Sequence, residues 1–268
     1  MKLMKMTLAF LLALVTAQAE GAKLEIGATA PAVLSTYYAA KAQDANAVQS
    51  KLKANGFSVL ATTAPIKGST VITITNKELQ ATNSWLATLN VLVNEKEVRV
   101  QNPSYFGAAY LQDKFKYGQF SGTLKSLQKA LGDLHTVKDE FKLSKLAKYQ
   151  FMMGMPYVDE TINVGEGSDL ASKLKDNKYV AYSLKLPNGS TLVGHSLRSR
   201  TNKFLLKIDA GHNAQILPYR SIIKDGKAVM LDPKYYLAVS LPLLSMGEFM
   251  KIASTPAEIE KDIKRTYK

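Results

Sequence analysis

The chain has 268 residues, of which 46% are apolar and 21% are charged, with nine prolines and sixteen glycines. This composition is that of a globular protein and excludes a disordered chain, a collagen and a transmembrane bundle. Lysine and arginine outnumber the acidic residues by 35 to 22, so the net charge is +13. The lack of cysteine excludes disulfides, thiolate metal sites and thiol nucleophiles, and only three histidines argue against a histidine-rich metal site.

The first nineteen residues have the pattern of a secretory signal peptide. Lys2 and Lys5 form a short basic region, an uncharged apolar stretch follows at 6–15, and an A-x-A cleavage signal ends at Ala19. The apolar stretch is too short to span a bilayer, which takes about 20 residues. The sequence therefore predicts export to the periplasm, cleavage after Ala19 and no transmembrane anchor. Cleavage would leave 249 residues and a net charge of +11, because the segment contains two lysines and no acid.

After this segment, the chain predicts a helix, two hairpins and two closing helices. The first helix is placed at Ala32–Asn55. Four strands follow and pair as antiparallel hairpins, at Phe57–Thr63 with Ser69–Thr75 and at Thr88–Val93 with Glu97–Gln101. The closing helices are predicted at Ser104–Asp113 and Thr123–Leu131.

The chain then repeats itself. Residues 93–111 resemble residues 223–241 at an offset of 130, and residues 56–74 resemble residues 178–196 at a slightly shorter offset. Two matches in the same order predict two tandem copies of one unit, each of ordinary domain size. We place the first copy at 20–132, the second at 149–268 and a charged linker helix between them at 133–148.

The second copy predicts the same element order. A short helix comes first, at Ser168–Asp176. Four strands follow, at Tyr179–Leu186, Thr191–Leu197, Ile216–Lys224 and Lys227–Leu231. Two helices close the copy, at Tyr235–Leu244 and Ala257–Thr266. The Asn-Gly and Asp-Gly dipeptides at 188–189 and 225–226 favour tight hairpin turns. Each copy is thus predicted to be α+β, with a four-stranded antiparallel sheet and helices on one face.

An Asx-Pro dipeptide precedes the closing helices in both copies. Asn102 or Asp232 can cap the helix, and the proline that follows can occupy the first turn, where its missing N–H is harmless. A pair of aromatic residues lies just beyond each dipeptide. One ring of each pair is expected to face the sheet and the other the surface.

These motifs resemble the uncharacterised domain-of-unknown-function family three-hundred-and-two. The likeness rests on GFSVLATT, STVITITN and VQNPSYF in the first copy, and on ILPYR followed by DGKAVMLDP in the second. The resemblance implies a fold related to the TATA-box-binding-protein and helix-grip group, and pairing of two domains, here as an internal pseudo-dimer or a homodimer. Where the family often has a cysteine, this chain has Tyr219, so no thiol chemistry carries over, and the family implies no particular activity.

A basic segment suggests an anion-binding site. Residues 198–207 contain four cations and no acid. Arg198 and Arg200, at alternating strand positions, would point the same way and grip an anionic group. With His212, Tyr219 and Arg220 they are the candidate ligand-binding residues of a non-enzymatic protein without a cofactor. The predicted partner is a small anionic or amphipathic molecule, an envelope polyanion or a lipid surface, and nucleic acid is not expected outside the cytoplasm.

Two alternatives remain open. An enzyme could use His195 together with His212, Tyr219 and Arg220, although no nucleophile motif supports a catalytic assignment. A soft-metal accessory protein could hold Cu(I) through three neighbouring thioethers, those of Met152, Met153 and Met155. The same methionines would otherwise be core filler in a buried strand at 151–158.

Overall fold

The computed structural model describes residues 21–27 and 29–268. The predicted signal peptide lies outside these residues. Within them the fold is α+β, with antiparallel sheets and helices, which confirms the predicted class.

The first half of the chain contains six strands and four helices. They are β1 (Val33–Ser35), β2 (Tyr37–Lys41), α1 (Ala45–Ala54), β3 (Ser58–Thr63), β4 (Thr70–Thr75), α2 (Lys77–Gln80), β5 (Leu89–Val93), β6 (Glu97–Gln101), α3 (Pro103–Leu111) and α4 (Ser121–Leu131). Short 3₁₀ segments lie at Trp85–Ala87 and Gln112–Lys114.

A short middle segment leads into the second half. Its elements are β7 (His135–Thr136), β8 (Glu140–Lys142) and α5 (Leu143–Leu146). The second half contains β9 (Thr161–Glu166), β10 (Val180–Lys185), β11 (Thr191–His195), α6 (Ser199–Asn202), α7 (Phe204–Lys207), β12 (Tyr219–Lys224), β13 (Lys227–Leu231), α8 (Pro233–Ser240), α9 (Met246–Lys251) and α10 (Thr255–Lys264). Its 3₁₀ segments are Ser172–Leu174, Gly211–Ile216 and Arg265–Tyr267.

Two antiparallel sheets have the same strand order. The first sheet runs β3-β4-β5-β6-β2-β7 and the second runs β10-β11-β12-β13-β9. Without β7, each sheet has five strands instead of the four predicted, because β2 lies beside β6 in the first sheet and β9 lies beside β13 in the second. The strands β1 and β8 pair separately.

Local sequence chemistry explains the hairpins and the helix starts. Asp225 and Gly226 both have positive φ, at 50° and 73°, which a two-residue hairpin turn of this kind requires. The side chains of Asn102 and Asp232 accept hydrogen bonds from the backbone N–H of Ser104 and Lys234, and a proline opens each helix. The predicted caps are therefore confirmed.

The predicted helix at Ala32–Asn55 is wrong over its first part. Residues 33–41 form β1 and β2, and the helix begins only at Ala45, where Asp44 caps it. The reason is tertiary packing, because Tyr37 is fully buried and pairs with Gln101 of β6. Aromatic residues suit a half-buried sheet better than a solvent-facing helix. The short helix predicted at Ser168–Asp176 is likewise only the 3₁₀ turn Ser172–Leu174.

The linker helix predicted at 133–148 is also wrong. This segment forms β7, β8 and α5 instead. Leu134 and Leu146 are fully buried, and the backbone of Leu24 donates to the carbonyl of Leu134 at 2.7 Å. Because the segment buries apolar side chains and extends the first sheet, it belongs to the fold rather than to a solvated connection.

The helices α3 and α8 form the centre of the molecule. Eight of the nine residues of α3 and seven of the eight of α8 are buried. The hydroxyl of Tyr105 donates to the carbonyl of Val239 at 2.9 Å, and the hydroxyl of Tyr235 donates to the carbonyl of Ala109 at 3.4 Å. The two donors are 130 residues apart in the chain, and so are the two acceptors. Each helix therefore makes the same contact with the other.

The expectation of one buried and one surface-facing ring at each anchor is wrong. Tyr105, Phe106, Tyr235 and Tyr236 are all buried, with exposures of 0–3%. Other elements cover the central helices besides the sheets, because α3 packs against α5 and the 3₁₀ segments Trp85–Ala87 and Gln112–Lys114, and α8 packs against α10. Each aromatic pair therefore has no solvent-facing position.

We predict that Gly194→Ala destabilises the fold by about 1–3 kcal/mol. Gly194 of β11 lies opposite Tyr182 of β10, and a Cβ there would approach the ring within 2.1 Å. Moving the ring would strain the contact between the Tyr182 and Thr88 hydroxyls, 3.1 Å apart. Urea unfolding measures the change in free energy.

Gly247→Ala is the matched control, because a Cβ at Gly247 of α9 meets nothing within 4 Å. This variant should be as stable as the wild type or gain up to about 1 kcal/mol from helix propensity. Equal stability of both variants would contradict the close aromatic contact on Gly194.

Candidate functional site

An open cleft of about 1700 Å³ lies beside the first sheet. The strands β2, β6 and β7 contribute to its lining, as do the last residues of α4 and the loop between β7 and β8. The second half contributes His212 and Leu243. The cleft is thus built mainly from the first half of the chain.

Lysines dominate the charge of this lining. Lys23 pairs with Asp133 at 2.6 Å. Five more lysines are exposed and have no carboxylate within 4.0 Å among residues 21–27 and 29–268, namely Lys41, Lys51, Lys96, Lys129 and Lys138. With Arg99, the lining has seven cations against four carboxylates, which gives a net charge of +3 with neutral histidines. We call this site the lysine cleft.

Arg99 of β6 is the buried cation at the base of the lysine cleft. Its Nε donates to Glu97 at 2.8 Å, and its Nη1 donates to Asp139 at 3.3 Å and to the side-chain oxygen of Asn213 at 2.7 Å. The Arg99 side chain is only 10% exposed. Arg99 therefore links β6 to the β7–β8 loop and to the 3₁₀ segment Gly211–Ile216. Because two carboxylates neutralise its charge, Arg99 adds no free cation to the cleft.

His212 is the one predicted ligand-binding residue that lines the lysine cleft. His212 is exposed, but partial desolvation by neighbouring parts of the chain lowers its pKa below the ordinary value, and the positive charge of Arg99 lowers this pKa further. The imidazole is therefore neutral at pH 7 and offers a donor and an acceptor rather than a charge.

Arg198 and Arg200 do not lie on a strand, so the predicted alternation is wrong. Arg198 immediately precedes α6, and Arg200 is an exposed residue within α6. Asp262 of α10 is 3% exposed and accepts hydrogen bonds from the backbone and Nε of Arg198 and, at 2.7 Å, from the Thr201 hydroxyl. Arg198 is thus held in a structural ion pair, because the chain makes two helical turns where a strand was expected.

Tyr219 and Arg220 are both buried on β12. As neighbours on β12 they point to opposite faces of the strand. The Tyr219 hydroxyl donates to the carbonyl of Leu231 at 2.8 Å, and Arg220 Nη2 donates to the Gln101 side chain at 3.0 Å. Neither residue lines the lysine cleft.

His195 is buried at the end of β11. Its Nδ1 lies 2.9 Å from the Thr266 hydroxyl and its Nε2 lies 2.6 Å from the Ser221 hydroxyl, so both ring nitrogens are engaged. Burial lowers the pKa of His195 from 6.5 to about 3. His195 of β11 pairs with Tyr219 of β12, and Arg220 is the next residue on that strand, so three of the four residues considered for an enzyme are neighbours in the second sheet. All three are buried, whereas His212 lines the lysine cleft.

The methionine segment is not the buried strand that was one expectation for it. Residues 151–158 form turns, and Met153 is 97% exposed. Met152 is 43% exposed and Met155 is partly buried. The glycine at 154, with φ of +83°, turns the chain so that it cannot continue as a strand.

Residues 21–27 and 29–268 contain neither a histidine or carboxylate metal cluster nor a membrane-spanning helix. No group of three or more histidine, cysteine, aspartate or glutamate side chains is arranged to hold a metal ion in this part of the chain. Between residue 21 and the C-terminus, no described helix has the length and apolar character needed to cross a membrane.

Comparison with known proteins finds no match, whether the chain is compared with protein-family models, with curated proteins or with solved structures. The geometry of the chain itself must therefore carry the functional argument. The lysine cleft is the main feature that reasoning from sequence missed. Its lysines come from α1, α4, a strand end and two loops, and no spacing along the chain connects them.

We predict that His195 makes the fold sensitive to acid. A histidine whose pKa is lower in the folded than in the unfolded protein contributes stability that is fully present above pH 6.5 and is lost as the pH falls toward 3. Between pH 7 and about 4.5 this amounts to roughly 2–3 kcal/mol. Urea unfolding at both pH values should show that His195→Gln loses less stability than the wild type by about this amount. Parallel pH profiles of the two proteins would contradict the buried neutral imidazole.

Proposed function

We propose that the protein is an exported binding protein whose lysine cleft takes an anionic ligand. The observation that carries this proposal is the set of five exposed lysines around one open cleft that have no carboxylate partner among residues 21–27 and 29–268. Cations that line one cleft give it a positive potential, which attracts an anionic ligand. The sequence of the first nineteen residues supports export to the periplasm.

The size of the lysine cleft favours an extended ligand. Its volume of about 1700 Å³ exceeds the range of about 300–1,000 Å³ that small-molecule pockets occupy. The lysines are distributed over the lining rather than gathered at one point. A flexible polyanion, with phosphate, sulfate or carboxylate groups along its length, fits this distribution better than a single small anion.

We favour binding over catalysis. Lysines at ordinary exposure are charged and act as point charges for anions. The hypothesis of an enzyme depends on three residues that are buried and do not line the lysine cleft, namely His195, Tyr219 and Arg220. The residues that line the cleft supply charge and hydrogen bonds to a ligand rather than an activated nucleophile.

We also propose that the two halves are copies of one unit, as the resemblance to domain-of-unknown-function family three-hundred-and-two implies. The equal strand order of the two sheets and the reciprocal Tyr105 and Tyr235 contacts support this proposal. A two-fold related pair of domains makes the same contact in both directions. The chain would then carry its own pseudo-dimer.

We predict that Lys41→Glu combined with Lys129→Glu weakens binding of a polyanion by at least about tenfold, which corresponds to ~1.4 kcal/mol. The probe is fluorescently labelled long-chain polyphosphate, and the measurement is fluorescence anisotropy at low ionic strength. Binding by the wild type should also fall as salt is raised, because the lysines are exposed.

The matched control combines Lys185→Glu with Lys227→Glu on the second sheet. Both lysines are exposed and lie outside the lysine cleft, and the pair changes the net charge by the same amount. It should bind nearly as well as the wild type. An equal loss of polyphosphate affinity in both double variants would show that net charge alone drives binding. That result would contradict the proposal that the lysine cleft is the binding site. Binding to anionic phospholipid vesicles without binding to polyphosphate would indicate a membrane surface instead.

A further inference from the structure

The methionines of this chain are unevenly distributed. Of its nine methionines, three lie within residues 1–20, and Met230 is buried in β13. The other five lie in two short segments, as Met152, Met153, Met155, Met246 and Met250. We call these five residues the methionine surface. Four of the seven large apolar side chains that are exposed in the described chain belong to it.

One aromatic contact brings the two segments together. The rings of Phe151 and Phe249 lie 5.5 Å apart, although the residues are almost a hundred positions apart in the chain. Phe151 directly precedes Met152, and Phe249 directly precedes Met250. The turn at 152–155 and the helix α9 therefore meet at one surface.

Each segment keeps its own methionines close to one another. The backbone N–H of Met155 donates to the carbonyl of Met152 at 3.0 Å and closes the turn. Met246 and Met250 are four residues apart on α9, so their side chains lie on the same side of the helix. Methionine side chains are long and flexible, so sulfurs from the turn and the helix can approach a common point.

We propose that the methionine surface is a binding site for a soft monovalent cation of the Cu(I) type. Thioethers prefer soft cations, and the chain contains no cysteine that would compete for them. Methionine is normally a buried residue. Exposure of 43%, 97%, 40% and 63% at Met152, Met153, Met246 and Met250 therefore leaves four thioethers accessible from solvent.

A general apolar docking surface accounts for this pattern less well. Such a surface needs only apolar area, which leucine or isoleucine supplies as well as methionine. Here the shared property is the thioether. The proposed site is separate from the lysine cleft and does not depend on the ligand of that cleft.

The test uses Ag(I), a soft cation that does not change oxidation state, and Cu(I) in competition with a chromophoric chelator. The methyl NMR signals of the methionines report each residue separately. Signals of the five surface methionines should shift on addition of Ag(I), and that of buried Met230 should not. Affinity should be nearly the same at pH 7 and pH 5, because thioether ligands carry no proton to displace.

Two double variants test whether both segments contribute. Met153→Leu with Met155→Leu, and Met246→Leu with Met250→Leu, should each weaken Ag(I) binding by about tenfold or more, since each removes two thioethers from one site. Met230→Leu is the control and should bind like the wild type, because the swap conserves volume in the core. Unchanged binding in either surface variant would overturn the two-segment site, and absence of any methyl shift would overturn metal binding altogether.

Discussion

The packing of α3 against α8 is the contact on which the rest of the structure depends. A helix that buries nearly all of its residues has no solvent-facing side, so it must be covered on every side by other elements. The hydroxyls of Tyr105 and Tyr235 join the two helices, while α3 also packs against α5 and α8 packs against α10. Separation of the halves would expose these two tyrosines, which are buried in the intact chain.

Polar groups in this interface fix how the halves meet. Asn90 of β5 donates to the carbonyls of Gln215 and Leu217 in the second half, at 2.9 and 3.1 Å. Arg220 of β12 lies 130 residues after Asn90 in the chain, and its guanidinium donates to the side chain of Gln101 in the first half. Buried polar groups stabilise a structure only when they find partners, so other arrangements of the halves would leave these groups unpaired. The apolar contact supplies the driving force, and the polar contacts select one geometry.

The middle segment makes the two halves differ. Residues 133–148 add β7 to the edge of the first sheet, and no corresponding strand extends the second. The same segment brings Lys138 and Asp139 beside β6, where Asp139 pairs with Arg99. The lysine cleft therefore belongs to one half, although both halves have the same strand order. A repeated scaffold that differs at its edges can carry a site in one half only.

Elements with local signals could be predicted from the sequence. The hairpin strands, the Asx-Pro caps and the closing helices follow from alternation, turn residues and capping chemistry, which act within a few residues. The segment 32–41 could not be assigned, because its strand conformation depends on pairing with β6, far along the chain. The cationic site was expected in the second half because residues 198–207 contain four cations and no acid. Partner contacts decide which charges are free, and Arg198 is paired with Asp262 whereas Lys41 and Lys129 are not paired with any described carboxylate.

The charge of the lysine cleft also bears on stability. Five lysines that pair with no carboxylate of the described chain line this one cleft, and an excess of like charge opposes the compact state. The carboxylates nearest the base, those of Glu97 and Asp139, are already engaged by Arg99 and so compensate little of the lysine charge. An anion in the cleft would remove part of the repulsion and would bind the folded chain in preference to the unfolded one. By mass action such a ligand stabilises the fold, so an arrangement that is unfavourable for the empty protein is favourable for the complex.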